Sequence, residues 1–282
     1  MTPSTAGTVS NSNLREADFP DGTLRVLQLT DTHLYCSPSG NLLGMNTLDS
    51  FQRVIQHFRD HHCPIDLLLA TGDLVHDASP EGYVRMAEIL SSFEVPVFCL
   101  PGNHDIPPVM REYLRAGQVH TDTVTDHGAW RFVMLDSVIP GEEGGRLERG
   151  QLDLLEKALA SDDRPTLVCM HHQPVQVGSA WIDTMAIENP DPFFDIIDRH
   201  DQVRGILWGH VHQTFEAQRG QVRLMASPST CVQFTPNLDR FQVDEEPPGF
   251  RLLALLPDGR ILSEVMRVEN MPHGLEMASS GY

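Results

Sequence analysis

The chain has 282 residues, enough for one large domain, and its 40% hydrophobic content supplies material for a core. Its 39 acidic against 20 basic residues leave a formal charge of −19. Such a surface repels phosphate backbones and anionic bilayers, which disfavours general nucleic-acid or membrane-surface binding. A small anionic substrate remains compatible if a local cation, such as a metal pair, offsets that field. The five cysteines (Cys36, Cys63, Cys99, Cys169 and Cys231) show no CxxC spacing and read as reduced thiols, implying a cytoplasmic protein. No apolar run approaches the roughly 20 residues that span a bilayer, and the opening residues lack the basic and apolar regions of a signal peptide.

Residues 1–22 are rich in Ser, Thr, Asn and acidic groups and read as a flexible tail. A single α/β domain is expected over 23–270, followed by a flexible C-terminal tail over 271–282. Within the domain, β-rich apolar runs recur, each ending in a polar cluster: LRVLQLTDTH, IDLLLATGD, VPVFCLPGNHD, RFVMLDS, TLVCMHHQP and VRGILWGHVH. Helical stripes lie between them. The apolar spacing over 47–61 predicts a helix capped by Thr47, and Ser79-Pro80-Glu81 predicts one running to about Phe93. Residues 149–160 and 192–200 read likewise. Toward the C-terminus, 222–226, 250–256 and 261–268 read as strands, with Pro257-Asp258-Gly259 as a turn. The mixture predicts a mixed sheet, or two sheets packed together, with buried strands flanked by helices.

The polar clusters carry the chemistry. Asp31 and His33, Asp73, Asn103, His171, and His210 and His212 all follow directly on apolar runs, where α/β sheets bind ligands. Asp31 and His33 are two residues apart, as are His210 and His212, which in extended backbone places both side chains on one face. Gly72, Gly102 and Gly209 precede three of the candidates, where a missing side chain permits a sharp turn. Imidazole, carboxylate and one carboxamide suit divalent Fe, Mn or Zn rather than thiolate-loving metals. Each fragment alone is weak, but five in order at strand ends are not. Other polar residues have blander readings: His172 as a packed or hydrogen-bonded histidine, His76 and Asp77 as capping or supporting groups, and Asp136 as a turn. His57, His61 and His62 fall on a helix end, where histidine is ordinary.

The order Asp31-x-His33, Gly72-Asp73, Gly102-Asn103-His104-Asp105, His171-His172 and Gly209-His210-x-His212 resembles the calcineurin-like metallophosphoesterase superfamily, over roughly residues 24–235. TDTHL, GMNT, PGNHD and PSTCVQF further resemble the bacterial class III cyclic-nucleotide phosphodiesterases. The resemblance implies an α/β/β/α sandwich of two mixed sheets, and hydrolysis of 3′,5′-cyclic AMP to 5′-AMP. It implies two divalent metals, Fe or Mn foremost and Zn an alternative. One metal is implied at Asp31, His33, Asp73 and His212, the other at Asp73, Asn103, His171 and His210, with Asp73 bridging. His104 falls on the catalytic histidine, the candidate general acid, and a metal-bridging hydroxide is the implied nucleophile. His33, Asp73, Asn103, His104, His171 and His212, with Asn46, Thr47 and the 227–230 loop, are candidate substrate contacts. One departure is His-His-Gln-Pro in the fourth block, where many relatives carry His-His-Pro-Pro; it puts only the local loop shape in doubt.

The expected partner is a small-molecule substrate, without nucleic acid or membrane, on a monomer or homodimer. The competing readings are a broader phosphodiesterase acting on other cyclic nucleotides or glycerophosphodiesters, and a non-catalytic scaffold of the same fold. The scaffold reading predicts missing ligands, whereas every expected position is filled.

Overall fold

Runs that are apolar at nearly every position need cover on both faces, and the chain provides it by stacking two sheets and flanking both with helices. The computed structural model describes residues 14, 19–61, 64–279 and 281. The strands are β1 (Leu24–Leu29), β2 (Asn41–Leu42), β3 (Met45–Asn46), β4 (Leu67–Thr71), β5 (Val97–Leu100), β6 (Val119–His120), β7 (Val124–His127), β8 (Trp130–Met134), β9 (Thr166–Cys169), β10 (Val203–Trp208), β11 (Phe215–Arg219), β12 (Val222–Ala226), β13 (Gly249–Leu255) and β14 (Ile261–Arg267). The helices are α1 (Thr47–Asp60), α2 (Pro80–Ser91), α3 (Pro107–Tyr113), α4 (Arg149–Leu159), α5 (Ala180–Asp183) and α6 (Pro190–Ile197).

The first sheet has the order β14-β13-β1-β4-β5-β6 and the second β11-β12-β10-β9-β8-β7. Parallel strands form the middle of each, with antiparallel partners β13 and β14 on one side of the first sheet and β11 and β7 at the edges of the second. The four-layer mixed sandwich expected from the sequence is therefore the fold observed. Val26, Leu67, Leu69 and Phe98 of the first sheet meet Trp130, Phe132, Leu167 and Leu207 of the second in the central layer. Phe51 and Val54 of α1 with Tyr83 and Met86 of α2 cover the outer face of the first sheet. Leu155 of α4 with Phe193 and Ile197 of α6 cover that of the second.

The helix starts follow cap chemistry, with one difference from the sequence reading. Asn46, not Thr47, caps α1: its side chain accepts the Asp49 N–H, and Thr47 is the first helical residue. Ser79 caps α2 with Pro80 in the first turn, as expected. The short α3 and α5, and the edge strands β6, β7 and β11, were not anticipated; they are too short or too polar for periodicity to register. Beneath the site, a buried polar chain joins the sheets. Arg251 donates to the Ala226 carbonyl at 2.7 Å and to Glu216 at 2.6 Å, Ser227 bonds Gln28, and Gln28 donates to Thr71 Oγ1 at 2.8 Å.

Most of the expected N-terminal tail lies outside the described residues, although the buried Leu14 donates its N–H to Glu264. Residues 271–279 lie against the fold: Met271 and Leu275 pack beside Phe234 and Cys231, and the Glu276 N–H donates to the Leu43 carbonyl at 2.8 Å. Among the described residues, no helix is long and apolar enough to cross a membrane.

Candidate metal centre

Both sheets end their central strands at one edge, and the loops beyond β1, β4, β5, β9 and β10 bring the seven predicted ligand residues together. The first sheet supplies Asp31, His33, Asp73 and Asn103, and the second supplies His171, His210 and His212. The donor atoms of Asp31, His33 and His212 lie within 4.8 Å of one another, as do those of Asp31, Asp73 and His171. The His33 and His212 Nε2 atoms are 3.1 Å apart, and His212 Nε2 is 3.3 Å from Asp31 Oδ1. His171 Nε2 lies 3.2 Å from Asp73 Oδ2 and 3.1 Å from Asn103 Oδ1. His33 Nε2 is 3.8 Å from that same Asp73 oxygen, so Asp73 touches both groups.

The local backbone corrects one sequence argument. Asp31, His33, Asp73, His210 and His212 all have positive φ, between 46° and 65°, so the paired motifs are left-handed turns past the strands rather than extended strand ends. Such a conformation costs a non-glycine residue on the order of 1 kcal/mol. Fixed hydrogen bonds hold it: Asp31 N–H to the Gly72 carbonyl, His33 N–H to the Asp73 carbonyl, and His210 N–H to the Asp31 carboxylate. The glycines also divide by role. Gly72 has φ +93° and a Cβ on it would also sit 2.3 Å from His171 Nδ1, whereas Gly102 and Gly209 are needed for space alone: a Cβ there would sit 2.2 Å from Asp73 Oδ1 and 2.6 Å from Asp31 Oδ2, respectively.

The donor set fits a cation on electronic grounds. A carbonyl only accepts, so His171 Nδ1 donates to the Thr71 carbonyl and His212 Nδ1 to that of Val232. In the neutral ring each Nε2 is then a bare lone pair directed at other acceptors. Both ring nitrogens of His210 are buried without a partner among the described residues. Burial holds the His33 and His210 rings well below the usual imidazole range, leaving them neutral as ligands must be. His171 is the exception. Burial alone would lower it, but the Asp73 carboxylate, aided by Asp31, raises it to about 9. The Asp73 carboxyl is held well below its usual range, against the effect of burial, chiefly by His171.

The Asp73 carboxylate therefore favours a proton on His171 in the metal-free chain, where a divalent cation would replace it. Metal binding at pH 7.5 is expected to release about one proton, and affinity should rise about tenfold per pH unit up to about pH 9. Calorimetric titration with Mn²⁺ in two buffers of different ionisation enthalpy measures this; buffer-independent heats would refute it.

The remaining predicted residues have clear places. His104 donates its backbone N–H to Asp73 Oδ1 at 2.9 Å. Its ring stacks on His76 at 4.2 Å and meets His33 edge-on at 5.0 Å. His76 Nδ1 lies 3.1 Å from His33 Nδ1, the supporting position considered for it. Asp77 accepts from Cys36 N–H and Ser79, closing the turn before α2. Asp105 accepts from the N–H groups of Gly102, Leu74 and Val75 and from the Tyr83 hydroxyl, fastening two ligand loops together. His172 bonds Ser137 through Nδ1 at 2.8 Å and packs on His210, and burial lowers it to about 3. Asp136 accepts the Val138 N–H in a turn. His61 caps the end of α1, while His62 lies outside the described residues.

The candidate substrate contacts divide. Asn103 and His104 line one cavity of about 260 Å³, together with the predicted ligand His210 and with Glu143, Trp181, Met185, Phe241 and Gly281. Asn46 is occupied with capping α1 and with a bond to the Pro38 carbonyl, and Thr47 is buried. The 227–230 loop is structural in its bonds: Ser229 Oγ donates to the Asp31 carbonyl at 2.8 Å and the Thr230 N–H to that of Thr30. Gln173 donates to the Ile182 carbonyl, away from the predicted ligands.

Comparison with known proteins now agrees with this geometry. The family model described as calcineurin-like phosphoesterase matches residues 24–214. The chain belongs to the calcineurin-like phosphoesterase family. Members of this family hold a dinuclear metal, and phosphoester hydrolysis is its class of reaction. The chain is similar to the 3′,5′-cyclic adenosine monophosphate phosphodiesterase CpdA of Pseudomonas aeruginosa, with 40% identity covering 93% of this chain and 96% of that one. It is 38% identical to the protein of the same description from Escherichia coli strain K12, over 93% and 96% of the two chains. Among solved structures, a dimetal phosphatase from Danio rerio shares the fold, with a TM-score of 0.64 at 14% identity, covering 90% and 99%.

Proposed function

We propose that this chain is a dinuclear metal-dependent phosphodiesterase that hydrolyses 3′,5′-cyclic AMP to 5′-AMP and so lowers the cellular level of that nucleotide. The observation that carries the reading is the convergence of Asp31, His33, Asp73, His171 and His212 donor atoms on two adjoining points that share Asp73 and Asp31. The likeness to the two cyclic AMP phosphodiesterases, over nearly their whole length, supports the substrate. The cavity adds an independent argument. Among the described residues its lining contains Glu143 and no Lys or Arg. A single-charged diester suits that field better than a dianionic monoester.

One metal would be held by Asp31, His33, Asp73 and His212, and the other by Asp73, Asn103, His171 and His210. Oxygen and imidazole donors favour Fe and Mn, with Zn as an alternative. When bound, a metal pair supplies Lewis acidity and water activated near neutral pH. The chain's residues do the rest. Asn103, in the cavity wall, orients the phosphate so that attack occurs in line with the departing 3′ oxygen. His104 holds the proton that the leaving alkoxide needs, on a ring kept in place by the stack on His76 and the backbone bond to Asp73.

A metal-dependent assay on a panel of cyclic AMP, cyclic GMP, 2′,3′-cyclic AMP and glycerophosphocholine tests the proposal. Cyclic AMP is expected to give the highest kcat/KM, with activity lost on chelation and restored by Mn²⁺ or Fe²⁺. A preference for glycerophosphocholine overturns the substrate. No turnover of any diester by the metal-loaded protein overturns the activity.

A further inference from the structure

The cavity that holds Asn103, His104 and His210 has a second chemical character. Trp181, Met185 and Phe241 line it too, and all three are only partly buried. The Trp181 and Phe241 rings meet edge-on at 5.1 Å, and both pack against the buried Phe234, at 5.3 and 5.1 Å. Phe234 in turn lies flat on the His212 imidazole, 4.3 Å away and 8° from parallel. Aromatic surface thus runs without a break from a predicted metal ligand to the cavity wall. Neither phosphate nor ribose has use for it, since both are polar. A flat heteroaromatic ring does, because base–aromatic stacking and sulfur–ring contacts both favour such a surface. Trp181 Nε1 is also buried without an acceptor among the described residues.

We propose that Trp181, Met185 and Phe241 form the base-binding subsite, taking the purine of the nucleotide while its phosphate lies beside Asn103 and His210. This rests on the reading of the site as a cyclic-nucleotide phosphodiesterase and adds the residues that make the base matter. Phe234 acts as a positioning residue, setting the aromatic surface against His212. The packing of Trp181 on Phe234 alone would be satisfied in a closed core. Its place in the wall of the cavity is what a ligand explains.

The test compares two substrates of the metal-loaded enzyme: cyclic AMP and the base-free ribose 3′,5′-cyclic phosphate. Trp181→Ala is expected to raise KM for cyclic AMP about tenfold or more, the loss of one stacked base. Its kcat/KM for the base-free compound and its metal content should stay at wild-type levels. Trp181→Phe should restore most of the cyclic AMP affinity, and Phe241→Ala should reproduce the defect where Trp181→Ala fails to fold. Intrinsic fluorescence gives a second readout, because the other two tryptophans, Trp130 and Trp208, are fully buried. 5′-AMP should quench emission and ribose 5-phosphate should not. Equal losses on both substrates, or unchanged KM for cyclic AMP in both alanine variants, overturn the subsite while leaving the phosphodiesterase reading intact. A wild-type enzyme that ignores cyclic AMP overturns both.

Discussion

Asp73→Ala is expected to leave the protein unable to hold at least one of its two metals and to lower turnover by more than about 10²-fold, the upper cost of losing a mere supporting partner. One oxygen of Asp73 faces His171 at 3.2 Å and His33 at 3.8 Å, while the other accepts the His104 N–H. Asp73 thus touches both groups and the backbone of the proposed acid together. Removing it also strips His171 of the carboxylate that chiefly raises its pKa. Asp73→Asn is the sharper variant. Asparagine tolerates the positive φ of 51° and can still accept the His104 N–H, so the loop shape survives while the charge does not. Elemental analysis after dialysis against trace Mn²⁺, with circular dichroism for the fold, reads the result. Two metals per chain in both variants would sink the assignment of Asp73 as the shared ligand.

The second large effect concerns His104. His104→Ala should retain both metals and lose about 10²–10⁴-fold in kcat toward cyclic AMP, the usual worth of a positioned general acid. The leaving group decides between chemistry and architecture. An alkoxide needs a proton, whereas p-nitrophenolate leaves readily without one. The variant should therefore keep far more of its activity on bis(p-nitrophenyl) phosphate than on cyclic AMP. His104 also stacks on His76 and meets His33, so a purely supporting role is the competing account. That account predicts equal losses on both substrates together with reduced metal content, and such a result would remove His104 from the acid role.

Much of this site was legible because its chemistry lies in side chains that the sequence spells out in order. Asp-x-His, Gly-Asp, Asn-His-Asp, His-His and Gly-His-x-His each follow an apolar run, and both sheets deliver those runs to the same edge. The backbone was less legible. The two-residue spacing suggested a shared strand face, yet the pairs sit in left-handed turns fixed by bonds to loops more than 30 residues away, such as His33 N–H to the Asp73 carbonyl and His210 N–H to the Asp31 carboxylate. Spacing cannot report such distant partners. Asn46 illustrates the same limit: the resemblance of its segment to the family implied a nucleotide contact, while its amide is spent on the cap and on Pro38. Trp181, Met185, Phe241 and Glu143 went unmarked because they form no motif. The usable signal was two aromatics in polar loops rather than in apolar runs, too common a pattern to single out on its own.

The way the first sheet is put together has a consequence for how the protein is born. Its innermost strand, β1, is flanked on one side by β13, pairing Leu24 with Leu255 across nearly the whole chain. His33 and His212, whose Nε2 atoms face each other, stand 179 residues apart. A nascent polypeptide on the ribosome can therefore fold β1, α1, β4, α2 and β5 early and still own only half a set of ligands. β1 therefore keeps an unpaired edge until β13 (Gly249–Leu255) has been made, and Asp31 lacks His212 until synthesis has passed that residue. The full set of predicted ligands thus exists only once His212 has been made.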